Sequence, residues 1–458
     1  MSPSHDPIDV DVLRSRVRGD VIVPGDDRYE QARRMFYGGL DSKPSAFVRV
    51  ADAADVGVAL AYVQDTGTEF TIRSGGHSLS GLSTIDSGLI IDVRGLKTIE
   101  TDPNERTMWA GSGSTASEVT LAAAEHGLAI GFGDTGSVGI GGITLGGGVG
   151  FLSRKHGLTI DSLLAAEIVT ADGEVLIVDE ESHPELFWAL RGGGGNFGVV
   201  TRFEYRLAPV DRVVGGMIML PATPEAVAGF ISLSEEAPDE LTTMANIMSC
   251  PPMPFVPPEL VGETVIFGLV MWCGDLDEGR RLMDRVRSLA DPLMDTLDEI
   301  SYPEIYMPDD EEYQPLATSL TGFTSGVDES QIAAIIEAIG SSDAPMRVVQ
   351  LRVLGGALGR VPNDATAYGH RDRAMMVNVA SFYTDEEEKP RRQTWVRDLW
   401  TTITDGDSAG YVGFLGDEGP ERVRAAYPGD TWDRLRAVKK RYDPDNLFRG
   451  NQNIPPAV

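Results

Sequence analysis

The order of apolar and polar positions divides the chain into three stretches. In the first, short strand-like runs alternate with helical ones. The lead-in carries helical patterns at Val12–Val17 and Tyr29–Phe36. Ala46–Val50 is apolar and strand-like, and a helical pattern at Asp52–Gln64 is stopped by Asp65-Thr66-Gly67. Strands follow at Glu69–Ile72 and Leu89–Val93, and Thr98–Thr101 with Thr107–Gly111 flank a turn like a hairpin. Thr115 and Glu118 have capping-box spacing, so a helix opens there and ends at Gly127. A helix is expected at Phe151–His156. Ala171-Asp172-Gly173 joins the strands Glu167–Thr170 and Glu174–Val178. A short helix at His183–Leu190 leads to the strand Val199–Leu207. Hairpins interleaved with helices predict an α+β arrangement rather than a regular doubly wound sheet.

The pattern changes at Pro209. Long strand-like runs stand at Val213–Leu220, Glu263–Trp272, Met346–Leu354 and Met375–Tyr383, with helical runs at Glu225–Glu236, Asp277–Leu289, Ser330–Ile339 and Pro390–Thr404. This predicts one large, mostly antiparallel sheet with helices on one face. The loops Cys250–Pro258 and Met307–Tyr313 would form a rim over a pocket. After Ala409 come a strand-like run at Gly410–Leu415, helices at Glu421–Ala426 and Thr431–Tyr442, and a tail rich in Pro and Asn.

Composition narrows the function classes. With 458 residues and 42% hydrophobic content, the chain suits a globular protein of two or three domains. No run of 18 apolar residues suggests a membrane span, and the N-terminus lacks signal-peptide character, so a cytoplasmic location is expected. A net charge of −31 disfavours nucleic acid and anionic membranes as partners. That charge suits a salt-rich cytoplasm and equally a GC-rich genome. Cys250 and Cys273 allow at most one disulfide and no metal framework.

Two glycine-rich segments carry the candidate chemistry. Residues 71–82, TIRSGGHSLSGL, follow a strand and hold one histidine, His77. Residues 131–150 form the longer run GFGDTGSVGIGGITLGGGVG. Glycine lets backbone N–H groups approach an anion closely, so the two runs suit the pyrophosphate of a dinucleotide. There is no G-x-x-x-x-G-K-[ST] segment. Gly139–Thr144 only approaches G-x-G-x-x-G and lacks a surrounding βαβ unit, so a nicotinamide site is a weak reading.

RSGGHS (73–78), GxxxTGSVGIGGITLGGGVGFLSRKHGLTIDSL (131–163), VTADGEV (169–175), LFWALRGGGGNFGVVTRFEYRL (186–207) and YDPDNLFRGNQNIPP (442–456) together resemble the berberine bridge enzyme-like branch of the vanillyl-alcohol oxidase flavoproteins. The likeness covers most of 45–210 and 409–456, and ATAYGHR (365–371) extends it inward. It implies a two-domain flavoprotein. Residues 1–208 and a returning segment, 409–458, would form a bipartite FAD-binding domain. Residues 209–408 would form the substrate domain, its sheet roofing the isoalloxazine ring. The resemblance implies FAD attached through His77, by the 8α-methyl carbon. The bond withdraws electrons from the ring and raises its potential. Where some relatives add a cysteinyl bond this chain has Thr135, so a single link is expected. The cofactor contacts implied are Arg73, Ser74, Gly75, Gly76, His77 and Ser78 on the first run. The second run would give Gly133, Thr135, Gly136, Val138, Gly139, Gly142, Thr144, Leu145, Gly148 and Gly150. Ile168, Val199, Tyr411 and Asn451 complete the set.

The reaction implied is hydride transfer from an alcohol, sugar or secondary-metabolite substrate to flavin N5. A base would remove the hydroxyl proton. Molecular oxygen is one candidate acceptor. The tyrosine base of sugar-oxidising relatives corresponds to Phe414, and a partner tyrosine to Leu79, so both phenols are missing. Tyr368 and His370 are the catalytic candidates carried forward; Tyr383 and Tyr313 stand behind them, and His156 reads as packing or flavin support. For each of these tyrosines the structural reading, a packed side chain with a satisfied hydroxyl, competes. Loss of both phenols also leaves room for a flavin-fold binding protein without redox turnover.

Overall fold

The computed structural model describes residues 8–252, 256–308 and 312–458. The first sheet has strands in the order Asp20–Ile22, Ala46–Arg49, Leu89–Asp92, Phe70–Arg73. The last three strands in that order are parallel, with Ala46 and Phe70 both in register with Leu89. The helix Ala53–Thr66 makes the crossover between them. Asp52 caps its first turn by accepting from the N–H of Asp55, and Gly67 ends it in the left-handed region at φ 67°. Buried Asp55 then accepts the N–H groups of Arg18, Gly19 and Ala51, which ties the lead-in to the sheet.

A second, antiparallel sheet runs Ile99–Asp102, Thr107–Gly111, Val199–Arg206, Leu163–Val169, Val175–Asp179. The capping box at Thr115 forms as its spacing predicts, with reciprocal bonds to Glu118 of 2.8 and 3.3 Å.

The third sheet is the large one. Arg212–Pro221, Thr264–Trp272, Leu241–Ser249, Arg347–Val353, Met375–Tyr383 and Leu316–Thr324 lie side by side, all antiparallel. Helices Pro224–Glu236, Leu276–Arg287, Glu329–Ser341 and Lys389–Thr404 cover one face. Their apolar faces bury Phe230, Ile247, Ile266 and Val379 between helix and sheet, roughly 1.5–3 kcal/mol for each such side chain. The other face turns towards the two glycine runs.

Three expectations change. Gly410–Leu415 is not a strand: Tyr411–Phe414 is a turn closed by the N–H of Phe414 on the carbonyl of Tyr411 (2.9 Å). Leu241–Ser249 and Leu316–Thr324 are full strands although their Thr, Ser and Asn content hid them. Ile140–Gly146 is a helix inside the second glycine run. Residues 253–255 and 309–311, within the two stretches expected to form a rim, lie outside the described residues. Among the described residues no helix is long and apolar enough to cross a membrane, and no group of His, Cys, Asp or Glu could hold a metal.

Candidate functional site

The two glycine runs meet backbone to backbone. Residues 74–78 leave the strand Phe70–Arg73, and Gly139 stands at the head of the helix Ile140–Gly146. A Cβ at Gly75 would lie 2.2 Å from the nitrogen of Gly139, and one at Gly139 equally close to that of Gly75. Gly139 has φ −70°, which any residue adopts, so the need for glycine here is steric.

The C-terminal segment locks onto this junction. Tyr411 accepts the N–H of Gly148 (2.9 Å) and Thr71 donates to the carbonyl of Gly450 (3.2 Å). Asn196 donates to the carbonyl of Gln452 (3.1 Å) and accepts the N–H of Ile454 (2.9 Å). Behind them Lys439 and Asp443, both fully buried, pair at 2.6 Å. The ammonium also donates to the carbonyls of Asn196 and Phe448.

These walls enclose a cavity of about 400 Å³. Ser319 and Asn378 of the large sheet roof it, and Phe36 and Tyr37 close one side. His77 lines the cavity and stacks on Phe36, ring centroids 4.3 Å apart.

The lining fits the FAD that the sequence implies. A Cβ at Gly142 or Gly195 would meet nothing within 4 Å, so at both points bare backbone faces open space. The first-turn N–H groups of Gly141 and Gly142 have no intrahelical acceptor, and Gly139 offers no side chain to cap them. Ser112 Oγ and Asn451 Oδ1 are buried on the lining without a protein partner. Those are donors and acceptors for a bound polar group. Among the described lining residues there is no lysine or arginine. A pyrophosphate would therefore be met by amide dipoles.

Of the expected cofactor residues, Ser74, Gly75, Gly76, His77, Ser78, Gly133, Thr135, Val138, Gly139, Gly142, Leu145, Val199, Tyr411 and Asn451 line this cavity. The others stand behind it. Arg73 is fully buried, donating to the carbonyls of Ser83 and Ala32, and burial lowers its pKa to about 9. Thr144 shares a bond of 2.7 Å with the hydroxyl of Tyr205, and Gly136 packs on Ser117. Gly148 carries the Tyr411 bond, Gly150 donates to Ser153, and Ile168 belongs to the core of the second sheet.

The catalytic candidates do not reach the cavity. Tyr368 is buried edge-on against Tyr411, 5.8 Å between rings. His370 lies under Phe323, and burial, then Arg373, lowers its pKa to about 4. Tyr383 is buried and Tyr313 exposed, neither on the lining. Leu79 and Phe414 do line it, and neither can take a proton.

Sequence reasoning missed Phe36, Tyr37, Asp134, Ser319 and Asn378. Asp134 had a signal, standing beside Thr135 inside the second glycine run. Its carboxylate is ion-paired with buried Arg352. Burial, and next the nearby charge of Asp134, raises the phenol of Tyr37 to about 12. Burial also carries Tyr411 to about 12, the N–H of Gly148 opposing. Both hydroxyls therefore stay protonated at neutral pH.

Comparison with known proteins gives the same frame. Residues 44–179 match the model of the FAD binding domain family, and residues 405–455 that of the family described as berberine and berberine like. (R)-6-hydroxynicotine oxidase of Paenarthrobacter nicotinovorans is 31% identical over 96% of this chain and 97% of its own. An uncharacterized FAD-linked oxidoreductase of Bacillus subtilis is 28% identical over 97% and 98%. The crystal structure of 6-hydroxy-D-nicotine oxidase from Arthrobacter nicotinovorans superposes with TM-score 0.85 at 27% identity, covering 96% of this chain and 98% of that one. Berberine bridge enzyme from Eschscholzia californica shares the fold, TM-score 0.84 at 22% identity over 98% and 99%.

Proposed function

The chain belongs to the berberine bridge enzyme-like FAD-linked oxidoreductases, and on that premise we propose that it oxidises a small molecule with one FAD held covalently through His77. The observation that carries this reading is the position of His77 on a cavity walled by two touching glycine runs. Residues 1–208 and 409–458 make up the cofactor domain in this reading, and 209–408 the substrate domain. When bound, FAD supplies an acceptor at N5 for a hydride from a substrate carbon, chosen from alcohols, sugars or secondary metabolites. Thr135 offers no second link. The glycine backbones orient the cofactor, while Ser319 and Asn378 give the substrate polar contacts from the roof. Leu79 and Phe414 exclude water beside it. Tyr368 and His370 act by packing. Molecular oxygen is the proposed final acceptor.

Anaerobic titration tests the reading. Flavin absorbance should bleach with at least one member of a panel of alcohols, sugars, phenols and amines. (R)-6-hydroxynicotine belongs in that panel because a relative is named for its oxidation. Admission of air should restore the colour with hydrogen peroxide. A yellow protein that no member reduces would contradict turnover.

A further inference from the structure

We propose that the part of the cavity around Asp134 is a site for an organic cation, so that the substrate carries a protonated amine with Asp134 as its counter-ion. The inference rests on the redox reading above and names the substrate class within it.

The charge of the lining is one-sided. Among the described lining residues Asp134 is the only carboxylate, and none is a lysine or arginine. His77, the one basic side chain there, is assigned to the flavin. The pair with Arg352 is neutral as a whole, but its halves are placed unequally. Asp134 lines the cavity and its side chain is 23% exposed, while Arg352, its side chain 2% exposed, lies outside the lining. Arg352 is fixed in that rear position. Its Nη1 donates to the carbonyl of Val149 (2.8 Å), and its Nη2 is shared between Asp134 Oδ2 and Gln350 Oε1. Gln350 donates onward to Asn246 Oδ1 (3.0 Å), and Asn246 to the carbonyl of Phe267 (2.9 Å). The chain begins at a donor-only group and ends at an acceptor-only one, so each amide has a single orientation. Asp134 Oδ2 is held from behind. Oδ1 keeps one long bond, from Thr135 Oγ1 at 3.3 Å.

Aromatic rings complete the box. Phe36, Tyr37, Tyr411 and Phe414 line the same cavity, and the charge of Asp134 reaches the phenol of Tyr37. A carboxylate among aromatic faces suits an ammonium and resists an anion. The net charge of −31 steers diffusing ligands in the same sense.

Three probes of one shape and different charge test this: benzylamine, benzyl alcohol and benzoate. Binding at neutral pH is read from perturbation of the flavin spectrum and from thermal shift. The wild type should bind the ammonium at least about tenfold tighter than benzoate. Asp134→Asn should abolish the preference while the flavin content holds. Because that change leaves Arg352 without its counter-charge, Asp134→Asn/Arg352→Met is measured beside it and should also show none. Benzoate binding as tightly as benzylamine, no binding of any probe at millimolar concentration, or a preference kept in both variants would overturn the proposal. A preparation without flavin would instead fail the FAD reading. The thermal-shift series still decides the cation site on that protein, since the site consists of its own side chains.

Discussion

Two alanine substitutions, three residues apart, should have opposite effects. At Gly139 a Cβ would lie 2.2 Å from the nitrogen of Gly75 and 2.4 Å from Ser74 Oγ. Ser74 can rotate, at the loss of its bond to the carbonyl of Ser112, but the backbone of Gly75 cannot move without opening the junction. Overpacked cores typically lose about 1–3 kcal/mol when side chains can yield. With a backbone as the obstacle, Gly139→Ala should cost at or above that upper end, about 3 kcal/mol. None of the loss comes from conformation, because φ there is −70°. Gly142 sits in the helix with nothing within 4 Å of a Cβ. Gly142→Ala should therefore stabilise the flavin-free protein by about 0.5–1 kcal/mol. Its methyl would occupy the space where backbone meets cofactor, so flavin content should fall. Urea unfolding of protein expressed without riboflavin gives the first quantity. The flavin-to-protein ratio of protein expressed with riboflavin gives the second. A Gly139→Ala protein of unchanged stability, or a Gly142→Ala protein with its full flavin complement, would refute the description of these runs as the walls of the site.

Two further predictions concern the supports. Lys439→Met removes one half of a fully buried pair and leaves Asp443 charged, so unfolding free energy at neutral pH should drop by about 3–5 kcal/mol, read by urea titration. His370 has a folded pKa of about 4, below its ordinary 6.5, with burial the main cause. The unfolded chain therefore binds its proton first as pH falls. Stability should decline between about pH 6.5 and pH 4, by up to about 3 kcal/mol from this group. His370→Gln should flatten that part of the stability–pH curve; an unchanged slope would contradict the assignment.

Much of the frame was legible because local chemistry and tertiary structure agree. Asp52 and Gly67 bound the crossover helix, Thr115 and Glu118 close their capping box, and Ala171-Asp172-Gly173 turns a hairpin. The parts that were not legible are those that packing decides. In Leu241–Ser249 every residue is buried, so polar Thr and Asn positions show no alternation to read. Ile140–Gly146 forms a helix despite three glycines, seated between Ser74, Ser112 and the C-terminal segment. Tyr411 follows from neither period: its hydroxyl is drawn to the N–H of Gly148, which bends the expected strand into a turn. The roof residue Asn378 carries no motif. Its place follows from register, opposite Gln350 on one side and Thr321 on the other. Asp134 was hidden among glycines read for their backbones alone.

The central claim is the covalent anchor, and acid precipitation addresses it most directly. Wild-type protein denatured in acid should keep its yellow colour in the pellet, and His77→Ala should release it to the supernatant. Colour released from the wild type, or retained by His77→Ala, would contradict attachment through His77.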